Sequence, residues 1–103
     1  MNCRKRQKLK LRKGPKFSKT DMYNLDCTLA RIIAKGVSEF KERTAGYPSD
    51  LKSMDEWYDI LDEIVWAMEH VEAAASWELN DFEQKCVQDG LKLFADRLCS
   101  MWY

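Results

Sequence analysis

The stretch S-M-D-E-W-Y-D-I-L-D-E-I-V-W-A-M-E-H-V, Ser53 to Val71, decides the fold. Its apolar positions are Met54, Trp57, Ile60, Leu61, Ile64, Val65, Met68 and Val71. Steps of three and four place them on one face of a 3.6-residue period, the mark of an amphipathic helix laid on a core. Ser53 followed by Glu56 is a capping box, in which the hydroxyl accepts from the third amide of the helix and the carboxylate reaches back. Asp55 and Glu56 also lie in the first turn, where the helix dipole favours negative charge. Three alanines at 73–75 extend the helical pattern beyond the stretch itself.

Working outward, a second helix is predicted from Thr20 to Arg43, capped by Ser18 with Asp21 or by Thr20. Its stripe is Met22, Leu25, Leu29, Ile32, Ile33, Val37 and Phe40, with Gly36 inside the pattern, where a missing side chain permits close approach of another helix. Residues 44–50 form a connection in which Gly46 suits a helix end and Pro48 stops continuation. On the other side, residues 76–80 are a break containing Trp77, and Asn80 with Glu83 offers another capping pair. A last helix is predicted from Asp81 to Met101, with Phe82, Cys86, Val87, Leu91, Phe94, Leu98 and Trp102 as its stripe and Gly90 interrupting it. Three helices with short links predict an all-α, three-helix antiparallel bundle over residues 20–103. The expected core is Leu25, Leu29, Ile32, Ile33, Phe40, Trp57, Leu61, Ile64, Met68, Leu91, Phe94 and Leu98.

The 103 residues suit one domain with a tail, and six Gly plus Pro disfavour an all-β fold rich in tight turns. The zero net charge hides an asymmetry. Residues 1–19 hold nine Lys/Arg and no acid, while the rest hold eight Lys/Arg and all seventeen acids, a balance of −9. Residues 1–19 therefore read as a basic N-terminal arm, disordered or extended, in which Arg4, Lys5, Arg6, Lys8, Arg12 and Lys13 are candidate phosphate contacts for nucleic acid. Cys3, Cys27, Cys86 and Cys99 form no C-x-x-C pair and accompany a single histidine, so free thiols in a reducing cytosol are expected. No apolar run approaches the ~20 residues of a membrane span, and no secretory h-region follows the basic start.

Chemistry-bearing constellations are sparse. His70 has no neighbouring Ser or Cys, and no nucleophile elbow or phosphate-binding loop is present. No catalytic residue is assigned. Glu39 and Glu42 form E-x-x-E on one helix, and Asp59 and Asp62 form D-x-x-D on the next. Spacings of three place each pair on one side of its helix, so two antiparallel helices could offer four carboxylates to Mg²⁺. This arrangement resembles the E-x-x-E … E-x-x-D pattern of the all-α nucleotide pyrophosphohydrolases. It departs from it in lacking the second glutamate before the first motif and in having Asp59 where that family has Glu. Under that alternative Mg²⁺ is the cofactor; otherwise none is expected. Trp66 lies at the edge of the central stripe, and a tryptophan there suggests an interface or a slot that stacks a flat ring, with Tyr58 as a second candidate.

The segments Tyr23-Asn24-Leu25-Asp26, Phe40-Lys41-Glu42, Gly46-Tyr47-Pro48, Glu56-Trp57, Ile60-Leu61-Asp62, Ile64, Trp66-Ala67 and Gly90-Leu91-Lys92-Leu93-Phe94-Ala95 come in one order along the chain. This order resembles a family of small phage and prophage proteins that read W-N-L-D, F-K-E, G-Y-P, E-E-W-D-E-I-L-D-K-M-I-W-A-F and E-G-L-x-L-F-A. Tyr23 for Trp, Glu63 for Lys and Met68 for Phe are departures. The resemblance implies a phage-encoded protein acting in the host cytoplasm. By analogy with other small phage accessory proteins it works by binding rather than catalysis, in counter-defence or host modulation, by sequestering a signalling nucleotide or blocking a host protein, and as a homo-oligomer. The alternatives are a nucleic-acid or nucleoprotein binder acting through residues 1–19, and a divergent nucleotide pyrophosphohydrolase.

Overall fold

The computed structural model describes residues 16–102. These are all-helical: α1 (Lys19–Tyr23), α2 (Leu25–Arg43), α3 (Met54–Glu69), α4 (Val71–Ala75), α5 (Asp81–Arg97) and a closing 3-10 turn at Leu98–Ser100. Among the described residues no helix is long and apolar enough to cross a membrane. Of the expected basic arm, residues 1–15 lie outside the described residues.

The caps fall where the sequence places them. Ser18 accepts from the Asp21 amide at 3.1 Å and donates its own amide to the Asp21 carboxylate at 3.0 Å. Asn80 and Glu83 make the same reciprocal pair at 2.8 and 3.2 Å. At α3 only half of the box forms as expected. Ser53 accepts from the Glu56 amide at 3.1 Å, but the Glu56 carboxylate accepts from Lys52 rather than Ser53, at 2.8 Å.

Two expected helices are each broken. Asn24, with φ −128° and ψ 57°, leaves the helical region and separates α1 from α2. The Thr28 hydroxyl spans that break by donating to the Asp21 carbonyl at 3.2 Å. His70, with φ −112° and ψ 9°, separates α3 from α4. The last helix also stops early, at Arg97, and tightens into the 3-10 turn. Trp77, in the α4–α5 link, takes a left-handed φ of 57° and is 83% exposed.

α3 is the central element, packed on α2 along one side and α5 along the other. Phe40, near the end of α2, meets Trp57, near the start of α3, edge to face at 6.2 Å. On the far side, the Gln84 amide near the start of α5 donates to the Ala74 carbonyl just beyond α3. No Cα of α2 lies within 8 Å of one in α5. Ile33 and Phe40 from α2 and Leu91 and Phe94 from α5, all partly buried, pack against the core cluster to which α3 contributes Trp57, Leu61, Ile64 and Met68.

The inner face of α3 is as expected, with Trp57, Leu61, Ile64 and Met68 buried. α2 is rotated from its expected orientation. It keeps Val37 of the expected stripe buried but also turns Cys27, Ala30 and Ala34 inward and leaves Leu29 and Ile32 exposed, at 42% and 52%. Small residues allow the two helix axes to approach, and that packing outweighs burial of the bulkier stripe. Leu98, also expected in the core, is 52% exposed. The glycines divide in the same way. Gly90 is the point of close approach between α5 and α3, where an added Cβ would strike Ala67 and sit 2.9 Å from the Glu63 carbonyl. At Gly36 an added Cβ would meet nothing within 4 Å, so among the described residues no helix uses the gap expected there.

Candidate functional site

The four carboxylates expected to face one another across α2 and α3 are dispersed. Asp62 is ion-paired with Lys41 at 2.7 Å, and the Lys41 ammonium also stands 5.2 Å over the Tyr58 ring. Glu42 borders the same shallow hollow as Lys41, Tyr58 and Asp62. Glu39 turns to the other edge of α2, where it pairs with Arg43 at 3.9 Å. Asp59 is exposed and borders neither hollow. Asp62 is therefore already paired with a lysine rather than open to a cation. Among the described residues no group of three or more His, Cys, Asp or Glu is placed to hold a metal.

Tyr58 and Trp66 do not form one site. They stand eight residues apart on α3, and Tyr58 faces the α2 side. Trp66 lies with Phe82 of α5 in a cavity of about 660 Å³. Among the described residues the remaining walls carry Glu63, Glu83, Asp89, Cys86 and Asn80 and no Lys or Arg, and Asp89 is ion-paired with Lys85 at 3.3 Å. The indole is held from behind. Its ring stacks on His70 at 4.0 Å and 18°, and His70 Nδ1 lies 2.7 Å from the Trp66 carbonyl. Phe82 is 74% exposed, so its ring is available to a partner. The cavity thus combines two aromatic faces with three carboxylates. Such a lining attracts a cation, through the ring quadrupoles and the carboxylate charges together, and repels a phosphate. A nucleotide at Trp66 would bring its phosphates towards Glu63 and Glu83, and the basic residues expected to hold them, Arg4 to Lys13, lie outside the described residues.

The candidate phosphate contacts Arg4, Lys5, Arg6, Lys8, Arg12 and Lys13 lie outside the described residues. Sequence reasoning missed Phe82 as a site residue, and with it Glu83 and Asp89. Each is distant in sequence from Trp66, and only the packing of α5 on α3 brings them beside it. The i, i+4 spacing of Trp66 and His70 was readable, because such residues are neighbours on a helix.

Two other polar features are structural. Arg97 grips Asp50 with two hydrogen bonds of 2.9 Å, tying the end of α5 to the connection before α3. The arginine's hydrogen bonds hold the Asp50 carboxyl below the usual carboxylate range. Burial, reinforced by neighbouring Asp26, pushes the Cys27 thiol above its ordinary value, so it is a poor nucleophile. Compared with known proteins, the chain matches no family model, no curated protein and no solved structure.

Proposed function

We propose that the chain is a small phage-encoded protein that works in the host cytoplasm by binding, without catalysing a reaction, and that it blocks a host protein by engaging a basic segment. The observation that carries this reading is the cavity between α3 and α5, where Trp66 and Phe82 stand among Glu63, Glu83 and Asp89. An arginine or lysine side chain laid against Trp66 gains a cation–π contact and a carboxylate partner together. The balance of −9 over residues 20–103 adds a long-range attraction that speeds encounter with a basic partner. Blocking a protein is favoured over sequestering a nucleotide because, among the described residues, acidic and aromatic side chains line this cavity and no Lys or Arg does.

The test is calorimetric titration of the full chain with a hexa-arginine peptide and with a hexaglutamate control. The arginine peptide binds, Trp66→Ala weakens it by about tenfold or more, and the control is silent. Equal binding by wild type and Trp66→Ala would remove the cavity from the account.

A second reading concerns assembly. We propose that α2, α3 and α5 form an antiparallel bundle and that two copies associate through the outward face of α2. Its support is the unused gap at Gly36, flanked by exposed Ile32 and Leu29, a surface on which another helix can lie closely. Sedimentation equilibrium of the wild type gives a dimer under this reading, and Ile32→Glu gives a monomer. A wild-type monomer at high concentration would end it.

A further inference from the structure

The described chain begins at the end of the molecule that holds the Trp66 cavity. Thr20 and Asp21 of α1 share a hollow of about 240 Å³ with Ala75 and Ser76, where α4 ends. Asn80, four residues on from Ser76, stands on the wall of the cavity, at most about 15 Å of chain away. Gln84 of α5 is fastened to the same region by its hydrogen bond to the Ala74 carbonyl at 3.1 Å. Residues 1–15 are therefore attached close to the cavity, four residues before Thr20 at Lys16. A chain of that length can span up to about 50 Å, so reach does not limit what it touches.

Charge and apolar character match as well. Residues 1–15 hold seven Lys or Arg and no acid, and Lys8-Leu9-Lys10-Leu11-Arg12 interleaves cations with leucines. The cavity presents the complement. Phe82 is 74% exposed, and the Trp66 ring is backed by His70 at 4.0 Å. Asp89 is already paired with Lys85, and one Glu83 oxygen accepts from the Asn80 amide at 3.2 Å. Glu63 and the second oxygen of Glu83 are thus the carboxylate acceptors left on this wall among the described residues.

We propose that residues 4–13 of the same chain occupy the Trp66 cavity, their cations meeting the indole face, Glu63 and Glu83, so that an outside basic segment must displace the chain's own. This rests on the reading that the cavity takes a cation. Tethering makes a weak contact sufficient. A short linker gives an effective concentration on the order of 1 mM, so an intrinsic Kd of about 100 µM keeps the cavity about nine-tenths filled. An outside segment then binds about tenfold more weakly than it would to an empty cavity. The arm sets a threshold that a true partner exceeds and a casual basic peptide does not.

The experiment follows the Trp66 indole N–H signal in ¹H–¹⁵N spectra of the full chain, identified by its loss in Trp66→Phe. Changing every Lys and Arg of residues 1–15 to Gln empties the cavity, so the Trp66 signal of this variant differs from that of the wild type. A synthetic peptide of residues 1–15, added to the variant, moves the signal towards the wild-type position in a saturable way. With Glu63→Lys added to the variant, the peptide binds at least about fivefold more weakly. The wild-type signal keeps its position on dilution. An identical Trp66 signal in wild type and variant overturns the proposal, as does a peptide that leaves the variant's signal unmoved. Movement of the wild-type signal on dilution also overturns it and assigns the cavity to the arm of a second copy. Hexa-arginine added to the variant separates this proposal from the reading beneath it. A shift with hexa-arginine and none with residues 1–15 removes the arm alone, and silence from both removes the cation-binding cavity too.

Discussion

Gly90 lies directly against Ala67, so close that a Cβ on the glycine would overlap the alanine's own. That contact sets how closely α5 lies on α3, and with it the width of the cavity that holds Trp66 and Phe82. Gly90→Ala therefore forces the helices apart and destabilises the protein by about 1–3 kcal/mol, the range for overpacking a filled interface. Gly36→Ala, where a Cβ meets open space, stabilises by about 0.5–1 kcal/mol through helix propensity alone. Urea unfolding of the two variants checks both signs, and a neutral Gly90→Ala would contradict the close-approach account.

Asp50 and Arg97 give a pH signature. The folded-state pKa of Asp50 is lowered by its arginine partner. Its contribution is therefore complete above the unfolded carboxylate value, about 3.9, and is lost as pH falls through the lower folded value. The stability difference between wild type and Asp50→Asn should be constant from neutral pH to about pH 5 and shrink below pH 4. Thermal unfolding at several pH values measures it. Added salt reduces it, because Asp50 is largely exposed. A gap that persists unchanged into strong acid would mean that the ion pair is not its source.

Trp77 holds a left-handed backbone conformation that a bulky residue adopts only at a cost, and its ring is exposed. Trp77→Gly should stabilise the chain by about 1 kcal/mol, since the strain of roughly 1–2 kcal/mol is relieved and part of the gain is returned as unfolded-state entropy. Destabilisation by Trp77→Gly would mean that the ring makes a contact outside this chain's own fold, and a comparison of monomer and assembled states would locate it.

The inner face of α3 was legible because one strong period runs unbroken from Met54 to Met68, and burial of Trp57, Leu61, Ile64 and Met68 follows it. The orientation of α2 was not. Two apolar stripes share that helix, one bulky through Leu29 and Ile32 and one small through Cys27, Ala30 and Ala34, and periodicity does not rank them. Close helix packing chose the small one. Asn24 and His70, the two breaks, carry no strong breaker signal, so the sequence read through both. At the candidate site, Trp66 stood out as a tryptophan off the stripe. The charge of its surroundings comes mainly from α5, a non-local contribution that no pattern around Trp66 shows.

The sign of the ligand's charge at Trp66 is the central claim, and one spectrum tests it. The Trp66 indole N–H signal of the full chain, identified by its loss in Trp66→Phe, is followed against a hexa-arginine peptide and, separately, against ATP. The account predicts a saturable shift with the peptide, diminished in Phe82→Ala and in Glu83→Lys, and none with ATP. A shift with ATP and none with the peptide would contradict it and restore the nucleotide reading.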